Sequence, residues 1–176
     1  RKTWGISYLS KKPQRQIESG ELIITSRDAV TGTVTVEYAD EQEKQVKTVW
    51  HRTLHDAGAY GSDLVSDIVG QSRAFTFPKS LYAERDSIKM VVGNNPNALI
   101  VDFFAGSGTT LHAVNLLNAE DGGNRRCVLV TNNEVANEDA EILKTEGFKP
   151  GDQEWESHGI CKSVTWPRTT HSILGR

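Results

Sequence analysis

Apolar and polar residues alternate in the first part of the chain. Residues 33–38 read Thr-Val-Thr-Val-Glu-Tyr, so Val34, Val36 and Tyr38 fall on one face, which is the period of a half-buried β-strand. An apolar stretch at residues 21–25 precedes it, and residues 28–32 between the two have the composition of a turn. The pattern predicts a small antiparallel hairpin element within residues 1–48.

Residues 49–93 are less regular and predict a connecting segment with one clear helix. Glycines interrupt residues 49–79, where residues 63–69 have the spacing of a short helix. Pro78 disfavours helix on its N-terminal side, and Ser80 is a good helix N-cap. After Ser80, four apolar residues share one helical face: Leu81, Ile88, Val91 and Val92.

From residue 94 to residue 176 the pattern becomes that of an α/β fold. Residues 98–104 form an unbroken apolar run of strand length, which is typical of a strand covered on both faces. A glycine-rich turn leads from this run to a helix over 109–118, and residues 127–131 form the next strand. Strand, helix and strand in this order predict a parallel pair with a right-handed crossover. Two further elements are predicted downstream, a helix over 137–145 and a third strand over 162–166.

Composition narrows the class of protein without indicating a function. The 176 residues suit one domain, or one domain with an appendage. The net charge of −3 differs from that of isolated DNA-binding domains, which are usually distinctly basic. Cys127 and Cys161 are too few for a disulfide scaffold and indicate reduced thiols. Because the chain does not begin with Met, we expect it to be a piece of a longer protein.

The turn after the first α/β strand carries the candidate chemistry. A glycine-rich turn at the carboxyl end of a buried strand lets a ligand approach bare backbone and the amides of a helix N-terminus. A nucleoside triphosphate site would place Lys after the last glycine, but Thr109 follows Gly108. A dinucleotide site would place a third glycine where Leu111 stands. Both classes are therefore disfavoured.

The third ligand class is S-adenosylmethionine, which has no phosphates. An acid at the strand end can meet its ammonium group, and hydroxyls at the helix start can meet its carboxylate. Asp102 supplies the acid, and Ser107, Thr109 and Thr110 supply the hydroxyls. Glu134, which follows the second strand, is a candidate for the ribose hydroxyls, with Asn132 and Asn133 as alternatives.

Four segments resemble one protein family, in the order that the family has. Residues 102–114, Asp-Phe-Phe-Ala-Gly-Ser-Gly-Thr-Thr-Leu-His-Ala-Val, resemble the cofactor motif of adenine-specific DNA methyltransferases, most closely the modification subunits of type III restriction systems. Residues 75–80, Phe-Thr-Phe-Pro-Lys-Ser, resemble the F-x-x-P-K motif of that family. Residues 117–126 and 163–168 are also similar to it. The resemblance covers residues 50–170.

The resemblance implies an incomplete Rossmann-like fold that binds S-adenosylmethionine in an enzyme that methylates adenine N6. In this permuted class a tetrapeptide (Asp/Asn/Ser)-Pro-Pro-(Tyr/Phe/Trp) upstream of both motifs is catalytic. All five prolines here are isolated, so no catalytic residue is assigned and the chain alone is expected to be inactive. The implied cofactor-binding residues are Phe77, Lys79, Asp102, Phe103, Phe104, Ala105, Gly106, Ser107, Gly108, Thr109, Thr110 and Glu134.

A rival hypothesis from another class is a DNA-binding fragment. In it, residues 1–60 end a target-recognition region, Lys11, Lys12 and Arg15 contact the DNA backbone, and the α/β part is scaffold. A nicotinamide-binding oxidoreductase domain is a third possibility, which Leu111 disfavours.

Partners and surroundings complete the expectations. The resemblance implies double-stranded DNA as partner of the full-length enzyme, a restriction subunit and a homodimer as further possible partners, and a bacterial cytoplasmic location. No apolar run approaches the roughly 20 residues of a membrane span.

His51, His55 and Asp56 lack further ligands nearby, so we expect hydrogen-bonding histidines and no metal site, and His112 is expected to be structural. Because an outer partner strand is missing, we expect an exposed apolar edge along residues 99–103.

Overall fold

The computed structural model describes residues 2–5, 11–39, 49–50 and 52–175. The chain divides into two compact units, Arg1–Val49 and Trp50–Arg176. The assignment of the first unit to a target-recognition region stays a prediction. His51 lies outside the described residues.

The first unit contains a three-stranded antiparallel sheet and one helix. Strands β1 (Lys2–Gly5), β2 (Leu22–Arg27) and β3 (Thr33–Tyr38) lie in the order β1-β3-β2, and helix α1 spans Lys11–Glu18. Strands β2 and β3 form the hairpin that the alternation indicated, and the Asp28 carboxylate accepts the amides of Val30 and Thr31 in its turn. Ile17 of α1 packs on a core of Leu22, Val34 and Val36.

The second unit is largely helical, with one two-stranded parallel sheet. After a 3-10 turn at Thr53–His55 and a π-helical turn at Gly58–Asp63 come short α2 (Leu64–Val69) and α3 (Leu81–Val92). Its remaining elements are β4 (Leu99–Asp102), α4 (Thr109–Asp121), β5 (Arg126–Leu129), α5 (Asn137–Thr145), α6 (Gln153–Ser157), a π-helical turn at Cys161–Thr165 and α7 (Trp166–Leu174). Among the described helices, none is long and apolar enough to cross a membrane.

The parallel pair predicted from the pattern is present, and α4 connects its strands. Leu99 pairs with Arg126 and Asp102 with Leu129, so the carboxyl ends of β4 and β5 lie at the same edge. The inner residues of α4, among them Ala113, Val114 and Leu117, are fully buried because α4 packs between the sheet and helices α3 and α7. This packing fixes the position of the turn that precedes α4.

One face of the β4–β5 sheet is open, which corrects the expectation that β4 is covered on both faces. Burial alternates along both strands, and Leu99 and Val101 are 56% and 44% exposed. Val128 and Val130 are exposed beside them. No other described strand pairs with β4, so the apolar run is explained by a surface that the described helices leave uncovered. The exposed apolar edge expected along residues 99–103 is present in part: among the described strands β4 pairs only with β5, and Leu99, Val101 and Phe103 are exposed while Ile100 and Asp102 are half-buried.

Two other expectations are wrong. Residues 162–166 form no strand but the end of a π-helical turn and the start of α7, because Val164 and Thr165 are both buried and Pro167 occupies the first turn of α7, where its missing N–H costs nothing. Val91 does not share the inner face of α3, since its side chain is 83% exposed. Ser80 does cap α3, accepting the amide of Ala83.

A buried arginine joins the carboxyl ends of α3 and α4. The Arg125 guanidinium donates to the carbonyls of Val92 and Gly93 and forms an ion pair with Asp121 at 2.9 Å. The side-chain amide of Asn118 is bonded to the backbone of the same arginine. Because carbonyls at a helix end lack partners within the helix, this arginine satisfies groups that would otherwise be unpaired.

Candidate functional site

The turn between β4 and α4 needs glycine at two positions. Gly106 and Gly108 have φ of +49° and +76°, the left-handed region in which a side chain is strained. A Cβ added at Gly106 would lie 3.0 Å from Cζ of Phe75, and one at Gly108 would lie 3.3 Å from Cγ2 of Thr165. Gly106 is half-buried and Gly108 is buried, so the turn presents the backbone of Gly106 at the carboxyl edge of the parallel strands, which is where open α/β sheets bind ligands.

Asp102 ends β4 and is fixed by two hydrogen bonds. One carboxylate oxygen accepts the amide of Phe104 at 3.0 Å, and the other accepts the hydroxyl of Thr110 at 2.6 Å. The side chain is half-buried. A carboxylate can accept about four hydrogen bonds, so this group, held in one orientation, retains capacity for a donor from a ligand.

The other two hydroxyls of the turn point inward. Ser107 and Thr109 are 3% and 5% exposed, and their hydroxyl oxygens lie 3.1 Å apart. Nη1 of Arg168 donates to both, at 3.1 Å and 2.9 Å. These two side chains therefore already have partners within the protein and are not open to solvent.

The turn is also held from the π-helical turn before α7. The Thr165 hydroxyl donates to the carbonyl of Gly106 at 2.5 Å and to that of Ile160 at 3.2 Å. Arg168, two residues into α7, is completely buried beneath the same turn. The conformation of the turn thus depends on a segment more than 50 residues downstream.

His112 lies beside Arg168 on the inner side of α4. Nε of Arg168 donates to Nδ1 of His112 at 3.4 Å, and the ring of His171 is 6.1 Å away. Burial first, then the positive charges of Arg168 and His171, lower the pKa of His112 to about 4. Burial also lowers the pKa of Arg168 to about 10. At neutral pH the pair is therefore a neutral acceptor beside a charged donor, and the structural role expected for His112 is consistent with these contacts.

Three predicted aromatic residues lie exposed around the turn region. Phe103 and Phe104 are 67% and 93% exposed and immediately follow Asp102. Phe77 is 91% exposed and has a φ of +56°, which is unusual for an aromatic residue. Its segment reaches the turn through Phe75, whose ring contacts Gly106.

The remaining predicted site residues are Lys79, Glu134 and Ala105. Lys79 is exposed and 3.7 Å from Glu84, so its contact in the structure is an ion pair on the surface of α3. Glu134 is exposed in the loop after β5, and its carbonyl accepts the amide of Ile160 at 2.9 Å. The Asn133 amide donates to the Glu156 carbonyl and accepts from the Lys162 amide, which fixes the loop next to Glu134. Ala105 is buried in the turn itself.

Residues predicted for other roles are also placed. Lys11, Lys12 and Arg15 are exposed on α1 in the first unit, and their contact with DNA stays a prediction. His55 is bonded to Asp86 at 2.9 Å, while Asp56 is exposed. Within the described ranges, no three His, Cys, Asp or Glu side chains are grouped as a metal site would require.

Sequence reasoning missed three residues of this region: Phe75, Thr165 and Arg168. All three fall in segments that were singled out for resemblance without a role for the individual residue. The one available signal was position, since Arg168 follows Pro167 directly after residues 162–166, which we took for a strand. A helix predicted to begin beside Pro167 would have indicated that one of its first residues faces the protein interior.

Comparison with known proteins decides the family. Residues 4–143, well over half of the chain, match the sequence profile of a family described as DNA methylase. The chain belongs to the DNA methylase family. The family resemblance drawn from the glycine turn and the proline–lysine segment is thereby confirmed.

Three relatives of this DNA methylase family member are informative. The chain is 37% identical over 106 residues to the type II methyltransferase M.KpnI of Klebsiella pneumoniae, which covers 58% of this chain and 24% of that protein. It is 33% identical over 94 residues to the Mod subunit of the type III restriction-modification enzyme EcoPI of Escherichia phage P1, covering 53% and 14%. It is 36% identical over 93 residues to the StyLTI Mod subunit of Salmonella typhimurium, again covering 53% and 14%. The matched part therefore spans a quarter or less of each relative.

Proposed function

We propose that this chain carries the S-adenosylmethionine-binding portion of a site-specific DNA methyltransferase that transfers a methyl group to adenine N6. The observation that carries the proposal is the turn at Gly106 and Gly108, two left-handed glycines between a parallel strand and a helix, next to a fixed carboxylate at Asp102. Membership of the DNA methylase family supports it. The proposed fold of the whole cofactor domain is Rossmann-like, of which this chain supplies part.

The groups present around the turn fit a zwitterionic nucleoside. Asp102 has acceptor capacity for an ammonium group, and the amides at the start of α4 suit a carboxylate. Phe77, Phe103 and Phe104 offer apolar surface for an adenine ring. Glu134, at the same edge of the sheet, suits the ribose hydroxyls. Lys79 would have to leave Glu84 to reach a ligand carboxylate.

In the proposed mechanism the chain positions the methyl donor. S-adenosylmethionine, when bound, supplies a methyl group on a positively charged sulfur. Asp102 would accept hydrogen bonds from the ammonium group, the backbone of Gly106 would lie beside the carboxylate, and the exposed aromatic residues would exclude water from the nucleoside. Such positioning lowers the barrier of a direct transfer by holding the reacting atoms in line.

The target base would be held by residues outside this chain. Enzymes that modify a base in duplex DNA flip it out of the stack. The Pro-Pro tetrapeptide that holds the flipped adenine in relatives is absent from this sequence, so we expect the chain alone to be inactive. We propose that it acts within a longer protein on double-stranded DNA, with a restriction subunit as a further partner, as the type III names of two relatives suggest. A homodimer stays a prediction.

Calorimetric titration of the purified chain with S-adenosylmethionine tests the proposal. We expect saturable binding by the parent and an affinity at least about tenfold weaker in Gly106→Val, because the new side chain meets Phe75 and strains the turn. Gly122→Val is the matched control, since Gly122 has a φ of +71° but no atom within 4 Å of an added Cβ. It suffers the same backbone strain at the other end of α4 and should bind normally.

A parallel titration with duplex DNA separates the rival. Salt-dependent binding of DNA by a folded chain that does not bind S-adenosylmethionine would favour the DNA-binding fragment, in which Lys11, Lys12 and Arg15 carry the affinity. Equal affinities of the parent and Gly106→Val for S-adenosylmethionine would contradict a site at the turn.

A further inference from the structure

Arg168 is a buried charge without a counter-charge. It is fully buried, no described carboxylate forms an ion pair with it, and its Nη2 has no hydrogen-bond partner among the described residues. It also lies at the amino end of α4, where the helix dipole is positive. Burying an unpaired charge costs stability, so the position of Arg168 is not explained by stability.

The contacts of Arg168 lie on the turn. One nitrogen of the guanidinium, Nη1, donates to the hydroxyls of Ser107 and Thr109, and Nε donates to His112 three residues further along α4. The planar guanidinium has a fixed fork, so bonding at two of its nitrogens fixes its orientation. The side chain therefore ties Ser107, the residue between the two glycines, to Thr109, the first residue of α4.

The turn needs an external support because its own backbone is permissive. Glycine populates many backbone conformations, so a Gly-Ser-Gly segment does not hold one conformation by itself. Each side of the segment has a contact from downstream: Thr165, at the end of the π-helical turn, binds the Gly106 carbonyl, and Arg168 of α7 binds the Ser107 and Thr109 side chains.

We propose that Arg168 is a positioning residue for the turn between β4 and α4, which acts by bonding the Ser107 and Thr109 hydroxyls from beneath so that the turn keeps its conformation and the backbone of Gly106 is presented to the ligand. This inference rests on the proposed function. It also changes the role given to the Ser107 and Thr109 hydroxyls, which accept hydrogen bonds from Arg168 and do not bind the ligand carboxylate.

Arg125 provides a matched control. It is a second buried arginine at the opposite end of α4, and it shares no bonding partner with Arg168. A variant Arg125→Met therefore removes a buried arginine that bonds the other end of α4, without touching the turn. Comparing it with Arg168→Met separates positioning from general loss of packing.

The experiment measures two quantities in the full 176-residue chain. Calorimetry gives the affinity for S-adenosylmethionine, and selective glycine labelling gives the amide resonances of Gly106 and Gly108 without ligand. In Arg168→Met we expect an affinity at least about tenfold weaker and displaced resonances of both glycines. In Arg125→Met we expect both glycine resonances to be unchanged and the affinity to be within about twofold of the parent.

Conservative variants keep the result interpretable. Arg168→Lys keeps the charge but not the fork, so we expect it to restore only part of the affinity. Full affinity in Arg168→Lys would contradict positioning by paired bonds. If Arg168→Met does not fold, Thr109→Val removes one acceptor at little change of volume, and the same displacement and weakening are expected.

The outcomes distinguish this inference from the proposed function. A folded Arg168→Met with parental affinity and unchanged glycine resonances overturns the inference and leaves the proposed function intact. A parent that does not bind S-adenosylmethionine overturns the proposed function, and the positioning of the turn is then decided by the glycine resonances alone.

Discussion

The two ends of helix α4 contain the same kinds of residue, but these residues make different contacts at each end. Each end has a glycine in the left-handed region and a buried arginine. At the carboxyl end, Arg125 meets helix carbonyls and Asp121, and Gly122 has open space around it. At the amino end, no carboxylate among the described residues pairs with Arg168, and Gly108 is packed against Thr165. The first arrangement agrees with helix electrostatics and the second opposes them, so the two arginines differ in what they contribute to stability.

The sharpest test of this comparison is the free energy of unfolding of the two arginine variants. We expect Arg125→Met to lose about 3 kcal/mol or more, because buried carbonyls and a carboxylate are left without their partner. Arg168→Met should change stability by about 1 kcal/mol or less, since removing an unpaired charge offsets the lost hydrogen bonds. Urea denaturation measures both. Equal losses would show that both arginines serve stability.

The glycines give a second, smaller contrast. Gly108→Ala should lose about 2 kcal/mol, because the left-handed conformation is strained for alanine and the new methyl presses on Thr165. Gly122→Ala should lose about 1 kcal/mol, since only the conformational term applies there. Thermal unfolding of the two variants checks the difference. A loss at Gly122 equal to that at Gly108 would remove the distinction between the two ends.

The pH dependence of the free energy of unfolding tests the amino end of α4, where His112 lies beside Arg168. The pKa of His112 is lowered to about 4 in the folded chain, while an unfolded chain binds a proton near pH 6.5. The contribution of this neutral histidine is therefore complete above pH 6.5 and is lost as the pH falls from there towards 4. We expect a decrease on the order of 2 kcal/mol between pH 7 and pH 4.5.

The matched variant for this prediction is His112→Asn. It keeps an acceptor for Arg168 but does not titrate, so its urea midpoint should depend less on pH over the same range. A parallel pH dependence in parent and variant would exclude His112 as the source.

The sequence predicted those parts of the fold that local pattern determines. Alternation at Val34 and Val36 predicted the hairpin, and the apolar run before Gly106 predicted a parallel strand pair. The open face of β4 was mistaken for a covered one, because an apolar strand has the same pattern whether its cover lies in this chain or elsewhere. The downstream helix was mistaken for a strand because five residues are too few to separate the two periods.

The residues of the candidate site also divide into those that local sequence pattern could predict and those that it could not. Asp102 and the two glycines could be predicted because they form one contiguous motif with a known physical use. Arg168 could not, since its role depends on a contact between residues 59 or more positions apart. Nothing in the local pattern shows that the Ser107 and Thr109 hydroxyls already have a partner within the protein.

The thiol of Cys127, on β5 beside this edge of the sheet, has a chemical consequence of its own. Burial, with a further effect from the Asp102 carboxylate, raises the pKa of Cys127 to about 11. The thiolate is the nucleophilic form of cysteine, so at neutral pH this sulfur is almost entirely in its unreactive state. If the proposed methyl donor binds at this edge, the protonated thiol would protect the protein from methylating itself at this position.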